Sequence, residues 1–352
     1  MKLPVACEIC SGAGGMGEGL RLAGFNVKFA NEINNQAAMT YMYNHPSTKM
    51  SIKDMRCLKA KEIIDVTGEN VRLLAAGLPC QGFSTAGERK INDPRNELFR
   101  SFLRIVNEIE PEFFLIENVV GILSFNNGKT IAEIEKVSNE MGYFVSKRVF
   151  NASSFGVPQN RNRVFILGCK KGKHDIQYMH VKNTKPVTVW DAISDLAFLK
   201  SGERSSKYLG PPLTQYQLQT RKKSKILYNH ESPKHGNKTI ERFSALRQGE
   251  SIGDLPISMR TKKRSMFRLK AFAPARTLTT LPDDFVHYSQ DRVLTVREMA
   301  RIQSFPDNYV FLGSRSTGGL NRKKDCPQYS QVGNSIPPLL AKSVGEWILS
   351  KI

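Results

Sequence analysis

The chain has 352 residues, and its 52 lysines and arginines against 32 acids give a net charge of +20 and a pI near 9.7. That length can bury more than one core, and the charge argues against a cationic partner and for a polyanion, nucleic acid before a membrane surface. Six scattered cysteines and no apolar run of transmembrane length exclude a disulfide scaffold and a spanning helix, and without a signal-type opening the expected setting is a reducing cytoplasm.

Residues 5–10 are an apolar run, 11–17 a glycine loop, and 18–23 a helix ended by Gly24, so the spacing predicts strand, turn and helix. Gly12-x-Gly14-x-x-Gly17 is the turn that lets a backbone approach a nucleotide, and Glu32, after the apolar run 27–30, is placed to accept from ribose hydroxyls. Nicotinamide, flavin and S-adenosylmethionine sites all use such a turn and acid, so the pattern alone leaves the cofactor open, and a solvated loop acid is the other reading of Glu32. Cys7 and Cys10 make half of a zinc or redox motif. On a strand, residues three apart point to opposite faces, so these two are not expected to share a metal. Residues 37–44 continue as a helix, and 51–53 lead as a third strand to Asp54 and Met55.

Residues 71–76 form an apolar run ending at Gly77, as a buried parallel strand does. Cys80 then falls in the loop beyond the strand's carboxyl end, where open α/β sheets place their ligands. A lone cysteine is otherwise a small core hydrophobe, but Pro79, Gly77, Gly82 and the polar Ser84-Thr85 shape this loop for close approach. Leu98, Phe99, Phe102, Leu103, Val106 and Ile109 recur at helical spacing up to Pro111. Residues 113–116 are fully apolar and deliver Glu117 at a second strand end, so neighbouring strand ends offer a thiol and a carboxylate. A helix at 131–141 and a strand at 143–150 follow. Gln159, Arg161 and Arg163 lead into the apolar run 164–168, and the two arginines share a face if extended or are an exposed pair.

From Lys170 to Lys270 the alternation stops. This stretch holds 22 lysines and arginines against 8 acids, a surplus of 14 out of the total of 20, with Tyr208, Tyr216, Tyr228, Phe243, Phe267 and Phe272 interleaved. It reads as an irregular basic domain that touches phosphates, with Arg221, Lys222, Lys223 and Lys225 among the contacts. His174, His180, His230 and His235 have no cysteines nearby and read as ordinary polar residues. Thr295-Val296-Arg297-Glu298 is a capping box opening a helix at 297–303, and Ser335 is the candidate cap of an apolar last helix with Pro337 in its first turn.

Together these stretches resemble the DNA (cytosine-5)-methyltransferase family of the bacterial restriction-modification type. The resemblance is carried, in the family's order, by Ser11-Gly12-Ala13-Gly14-Gly15, Pro79-Cys80-Gln81, Glu117-Asn118-Val119, Gln159-x-Arg161-x-Arg163, Arg292-x-Leu294-Thr295-x-Arg297-Glu298 through Phe305-Pro306, and Gly333-Asn334-Ser335. It covers nearly the whole chain except the basic segment, which in the family is the variable target-recognition region. It implies an α/β fold with a mostly parallel sheet: a Rossmann-like S-adenosylmethionine-dependent methyltransferase domain at residues 1–175, a smaller, irregular target-recognition domain at 176–290, and a return segment at 291–352 completing the catalytic domain. The DNA cleft is expected between the two domains.

The implied reaction moves a methyl group from S-adenosylmethionine, without a metal, to C5 of a cytosine flipped out of a specific double-stranded DNA sequence. Cys80 would be the nucleophile that adds to C6, helped by nearby positive charge that favours its thiolate. Glu117 would hold a proton at N3, for which its pKa should be raised, Arg163 would bind O2, Arg161 would support the loop, and the Leu78 carbonyl would meet the exocyclic amine. Glu32 would bind the cofactor ribose and Ile33, Asp54 and Met55 would frame the adenine, with Cys10, Gly12, Gly14, Pro79, Leu98, Asn334 and Ser335 completing the site. Cys10 replaces a usual Phe, and Leu78 a usual Pro or Phe. The implied partners are double-stranded DNA and a cognate restriction endonuclease acting on the same site, and the chain is expected to be a cytoplasmic monomer, on the nucleoid when bound to DNA. Two alternatives stand beside this reading. The tRNA-directed branch carries a Cys-Phe-Thr tripeptide that is absent here, and an inactive DNA-binding regulator would have no use for Cys80, Glu117 and Arg163.

Overall fold

The computed structural model describes residues 2–352 apart from 69, 80–97, 175, 177, 178, 180–184, 223, 262–264 and 317–324. The chain forms two compact units, Met1–Asn151 with Asn162–Lys182 and Pro338–Ile352, and Ala152–Arg161 with Asn183–Pro337.

The first unit is built on the strands β1 (Val5–Ile9), β2 (Asn26–Asn31), β3 (Lys49–Ser51), β4 (Val71–Gly77), β5 (Phe113–Val119), β6 (Tyr143–Asn151) and β7 (Asn162–Lys170), side by side in the order β3-β2-β1-β4-β5-β7-β6. The strands from β3 to β5 are parallel, and β7 inserts antiparallel between β5 and β6. Parallel neighbours need crossovers. These contain the helices α1 (Gly15–Ala23), α2 (Asn35–Asn44), α3 (Ala60–Thr67) and α4 (Leu98–Ile109), while α5 (Lys129–Glu140) precedes β6. The central strands carry long apolar runs, as buried parallel strands do, with Leu73, Leu74, Ala75 and Ala76 in β4 and Phe113 to Ile116 in β5 all buried.

The α4 residues Phe99, Phe102, Leu103 and Val106 pack in one core with Leu74, Ala76, Phe114 and Ile116. Each such side chain contributes about 1.5–3 kcal/mol on leaving water. Helix α1 begins inside the glycine loop, three residues before the apolar pattern suggests, and ends at Gly24, whose left-handed backbone (φ 115) returns its amide to the carbonyls of Leu20 and Arg21. Asn34 caps α2 by accepting from the Ala37 amide at 3.1 Å.

The second unit is irregular, as expected from its composition. It contains α6 (Val189–Ile193), α7 (Gln215–Arg221), α8 (Asn237–Ala245), the two-residue strands β8 (Phe267–Arg268) and β9 (Phe285–Val286), α9 (Val296–Ile302) and α10 (Gln328–Asn334). Buried ion pairs tie it together. Arg301 donates to Asp307 at 2.5 Å and to Asp195 at 3.2 Å, and Asp307 also accepts from the Tyr208 hydroxyl at 2.6 Å. Glu298 accepts two bonds from Arg292, at 2.8 and 2.7 Å, and a third from the Thr295 amide, so the capping box at α9 is present and its acid is doubly employed. Burial opposes the charge of Glu298, but the Arg292 guanidinium holds its carboxyl well below the usual range.

From the segment 291–337, which the resemblance gives to the catalytic domain, Arg292, Glu298, Arg301 and Asp307 find their partners among themselves and at Asp195, Tyr208 and His287, and the segment groups with the second unit. Only α11 (Pro338–Leu349) returns to the first unit, against α1. There Gly19 lets the helices close up: a methyl at that position would strike the Ala341 side chain and the Pro338 carbonyl. Ser335 is not the cap of α11. It follows α10, and its hydroxyl donates back to the Gln331 carbonyl at 2.6 Å, while α11 opens on Pro338.

Candidate active site

At the end of β1 three left-handed residues, Cys10 (φ 52), Gly12 (φ 55) and Gly14 (φ 91), turn the chain into α1. The turn is held from β2. The Ser11 amide donates to the Asn31 carbonyl at 2.9 Å, and the Glu32 carboxylate accepts from the amides of Gly12 at 2.7 Å and Asn34 at 2.8 Å. Burial pushes the Glu32 carboxyl above its ordinary value, and these amides pull against it. Glu32 is thus an organised acceptor, fixed by main-chain amides and carrying lone-pair capacity beyond them.

Around it the expected nucleoside residues converge in part. The Cys10 thiol lies 3.3 Å from the sulfur of buried Met55, making a soft apolar floor, and Ile33 beside Glu32 is 64% exposed. The Ser11 hydroxyl is buried without a partner among the described residues. An apolar floor, an exposed Ile, an ordered carboxylate and a buried hydroxyl form a donor and acceptor set that fits a purine nucleoside such as that of S-adenosylmethionine. Asp54 is already engaged by its neighbour, accepting from the Arg56 amide at 2.9 Å and side chain at 2.5 Å, and this pairing holds its carboxyl below the usual range. Leu98 opens α4 and is 8% exposed, Pro79 is half-buried after β4, and Asn334 and Ser335 end α10 in the second unit, the first exposed and the second buried.

The carboxyl ends of β4 and β5 carry the second part of the site. Parallel register sets Gly77 beside Glu117, and antiparallel register sets Val119 beside Arg163 and Glu117 beside Phe165. Arg163 Nε and Glu117 Oε1 are consequently 3.0 Å apart, both largely shielded from water. The next residue, Asn118, donates from Nδ2 to the Leu78 carbonyl at 3.3 Å and accepts from the Val119 amide at 2.8 Å, fixing the main chain on both sides of the pair. A carboxylate, a guanidinium and a main-chain carbonyl on adjacent strand ends can address the polar edge of a pyrimidine. Cys80, two residues beyond Leu78, lies outside the described residues, as do Gln81 to Ser84.

Arg161 and Arg163 do not share a face. Strand β7 begins at Asn162, and Arg161 belongs to the second unit, where it is 2% exposed and donates to the carbonyls of Leu278 at 3.1 Å and Gly333 at 2.9 Å. A buried guanidinium needs such acceptors, and the main chain of two distant segments supplies them. Gln159 completes this clasp: it is fully buried, accepts from the Leu278 amide at 2.9 Å and donates to Gln303, which in turn donates to the Ser335 carbonyl.

Glu8 was not singled out by the pattern. It lies in β1, 1% exposed, accepts from the Tyr41 hydroxyl at 3.1 Å, and sits against Gly17 so closely that a methyl there would run into its carboxylate. Burial raises its pKa to about 8. The available signal was an acid at the centre of an apolar run. Among the described residues no cluster of His, Cys, Asp and Glu is placed to hold a metal, and no helix is long and apolar enough to cross a membrane.

Known proteins match this chain along most of its length. The family model described as C-5 cytosine-specific DNA methylase matches residues 6–350. The Type II methyltransferase M.DdeI of Desulfomicrobium norvegicum is 35% identical, over 97% of this chain and 87% of that protein. M1.HphI of Haemophilus parahaemolyticus, also a Type II methyltransferase, is 35% identical over 97% of this chain and 86% of its own. A solved structure described as a prophage-encoded DNA modification methyltransferase from E. coli superposes with a TM-score of 0.82 at 27% identity, covering 99% of both chains.

Proposed function

Because the chain belongs to the C-5 cytosine-specific DNA methylases, we propose that it methylates C5 of one cytosine within a specific double-stranded sequence, after that base is flipped from the helix, through a covalent bond between Cys80 and C6. The observation that carries this reading furthest is the Glu117–Arg163 pair beside the Leu78 carbonyl. Those groups match, in order, N3, O2 and the exocyclic amine of cytosine, an edge that is unavailable while the base is paired.

S-adenosylmethionine supplies the electrophilic methyl group when bound, and Glu32, Ile33, Cys10 and Met55 are the residues that would hold its nucleoside, with Gly12 and Gly14 giving the backbone room and Asp54, Pro79 and Leu98 bordering that space. The chain's own part is base activation. C5 of cytosine is a poor nucleophile. Addition of the Cys80 thiolate to C6, with Glu117 delivering a proton to N3, places an enamine at C5. Arg163 supports the charge that accumulates at O2. After methyl transfer a base takes the C5 proton, the electron pair of that C–H bond restores the C5–C6 double bond, Cys80 leaves as thiolate with the C6–S pair, and the N3 proton returns to Glu117. Arg161 and Gln159 act indirectly, holding the segments at Leu278 and Gly333 in place. Such an enzyme works on DNA as a monomer in the cytoplasm, alongside an endonuclease that cuts the same site when unmethylated.

The test is expression in a host lacking cytosine methylation, followed by base-resolution mapping of 5-methylcytosine. One methylated sequence is expected. Cys80→Ala should abolish the mark while retaining S-adenosylmethionine binding, and an oligonucleotide with 5-fluorocytosine at the target should form a covalent complex with the wild-type protein only. Methylation by the Cys80→Ala protein would remove the adduct from the mechanism.

A further inference from the structure

Outside the residues already assigned, the second unit carries a pocket of about 380 Å³ whose wall includes Phe267, Lys270, Ala275 and Arg276 and, among the described residues, no acid. Arg276 is exposed, and its guanidinium carbon lies 4.8 Å from the centre of the Phe267 ring. That contact holds a cation in place without using its hydrogen-bond donors. Its main chain is held as firmly. Ala275 pairs with Gln159 as a β-bridge, and its amide donates to the Pro158 carbonyl at 2.9 Å. Two residues beyond Arg276, Leu278 is bonded by Gln159 through its amide and by Arg161 through its carbonyl. Between them the Thr277 hydroxyl donates to the Asn160 carbonyl at 2.8 Å. Lys270 is fixed differently. Its aliphatic stem lies over Gly249, where a methyl group would collide with it, and its ammonium end is exposed on the same pocket.

We infer that Arg276 reads a guanine of the target sequence in the major groove, with Lys270 on the adjoining phosphate; this rests on the proposed action on double-stranded DNA. The argument is one of order. A phosphate contact needs only a positive charge that can reach it, which a flexible lysine supplies. A guanine presents two acceptors, O6 and N7, at a fixed spacing, and a guanidinium matches them only if its plane is set beforehand. Arg276 has its guanidinium seated over Phe267, a backbone tied on both sides, and pocket walls that, among the described residues, offer no carboxylate to compete for its donors. The same groups explain why the Gln159–Arg161 clasp is buried so completely: it aligns the segment that presents the reading side chain.

The experiment compares wild-type, Arg276→Ala, Arg276→Lys and Lys270→Ala proteins by methylation mapping and by salt titration of DNA binding. For both Arg276 variants the expected result is relaxed choice at one position, a guanine in the wild-type site, with discrimination there falling by about 5- to 150-fold and the salt slope unchanged. Lys270→Ala should keep the site and make the slope shallower by about 0.9. If Arg276→Ala keeps the site but loses that slope increment, Arg276 is a phosphate contact and the inference fails; if it changes neither, the side chain is a solvated cation and the inference fails equally. Should Arg276→Ala fold poorly, as thermal melting would reveal, the Lys variant decides by the same criteria. A wild-type protein that methylates no DNA overturns the parent reading and this assignment together, whereas an active wild type with an unaltered variant site overturns this assignment alone.

Discussion

Arg163 Nε stands 3.0 Å from Glu117 Oε1, joined across two antiparallel strands whose register leaves neither side chain much freedom. The proposed proton donor and the proposed O2 ligand are therefore assembled as a unit. Each sets the position of the other, so neither should be replaceable without disturbing its neighbour.

Glu117→Gln keeps the size of the side chain and can still meet Arg163, but an amide cannot pass a proton to N3. Its single-turnover methylation rate should fall by roughly 10²- to 10⁴-fold while DNA affinity stays within about threefold. Quench-flow and filter binding measure the two separately. A rate equal to wild type would remove Glu117 from the chemistry.

Much of this arrangement was legible in the sequence. An apolar run that stops at Gly77 and another that continues into Glu117 mark two buried strands ending together, and helical spacing from Leu98 to Ile109 marks the face that covers them. The antiparallel insertion of β7 was not legible, because strand direction in a mixed sheet depends on pairing rather than on local apolarity. Arg161 and Arg163 look equivalent two residues apart, yet one satisfies carbonyls more than a hundred residues away and the other a carboxylate on the next strand. Contacts of that span leave no periodicity to read.

Glu8 gives a prediction about pH. In the folded protein burial raises its pKa to about 8, whereas in the unfolded chain it titrates near about 4.3. Between those values the folded state binds the extra proton, so this group's contribution to stability declines as pH rises through the window and its cost is complete above the folded value. Glu8→Gln cannot ionise and retains an acceptor for Tyr41. Urea midpoints of variant and wild type should be similar near pH 5 and diverge in the variant's favour towards pH 9, by at most about 1.4 kcal/mol per pH unit. Parallel curves across that range would show that Glu8 titrates normally.

The basic run at 221–225 requires division. Arg221 was expected on phosphate, but its guanidinium donates to Asp195 at 2.6 Å and lies 3.9 Å from the centre of the Tyr208 ring, so it serves the ion network of the second unit. Arg221→Ala should lower the melting temperature, by a stability loss of about 1.5–3 kcal/mol because Asp195 keeps Arg301, and leave the salt slope of DNA binding unchanged. Replacing Lys222, Lys223 and Lys225 by Ala should do the opposite, flattening the slope by about 0.9 for each phosphate they neutralise. Thermal melts and salt titrations of the two proteins would expose an exchange of these outcomes.

The backbone passes between the two units at four places, because the ten residues Ala152–Arg161 belong with Asn183–Pro337 although a whole strand of the first unit separates them in the chain. A gene segment that carried residues 183–337 into a relative by crossing over at its two ends would arrive without this strap, and Leu278, Gly333 and Gln303 would have to accept the recipient's residues in place of Gln159 and Arg161. Exchange of the second unit between relatives therefore calls for both pieces, or for a recipient whose strap offers the same contacts to Leu278, Gly333 and Gln303.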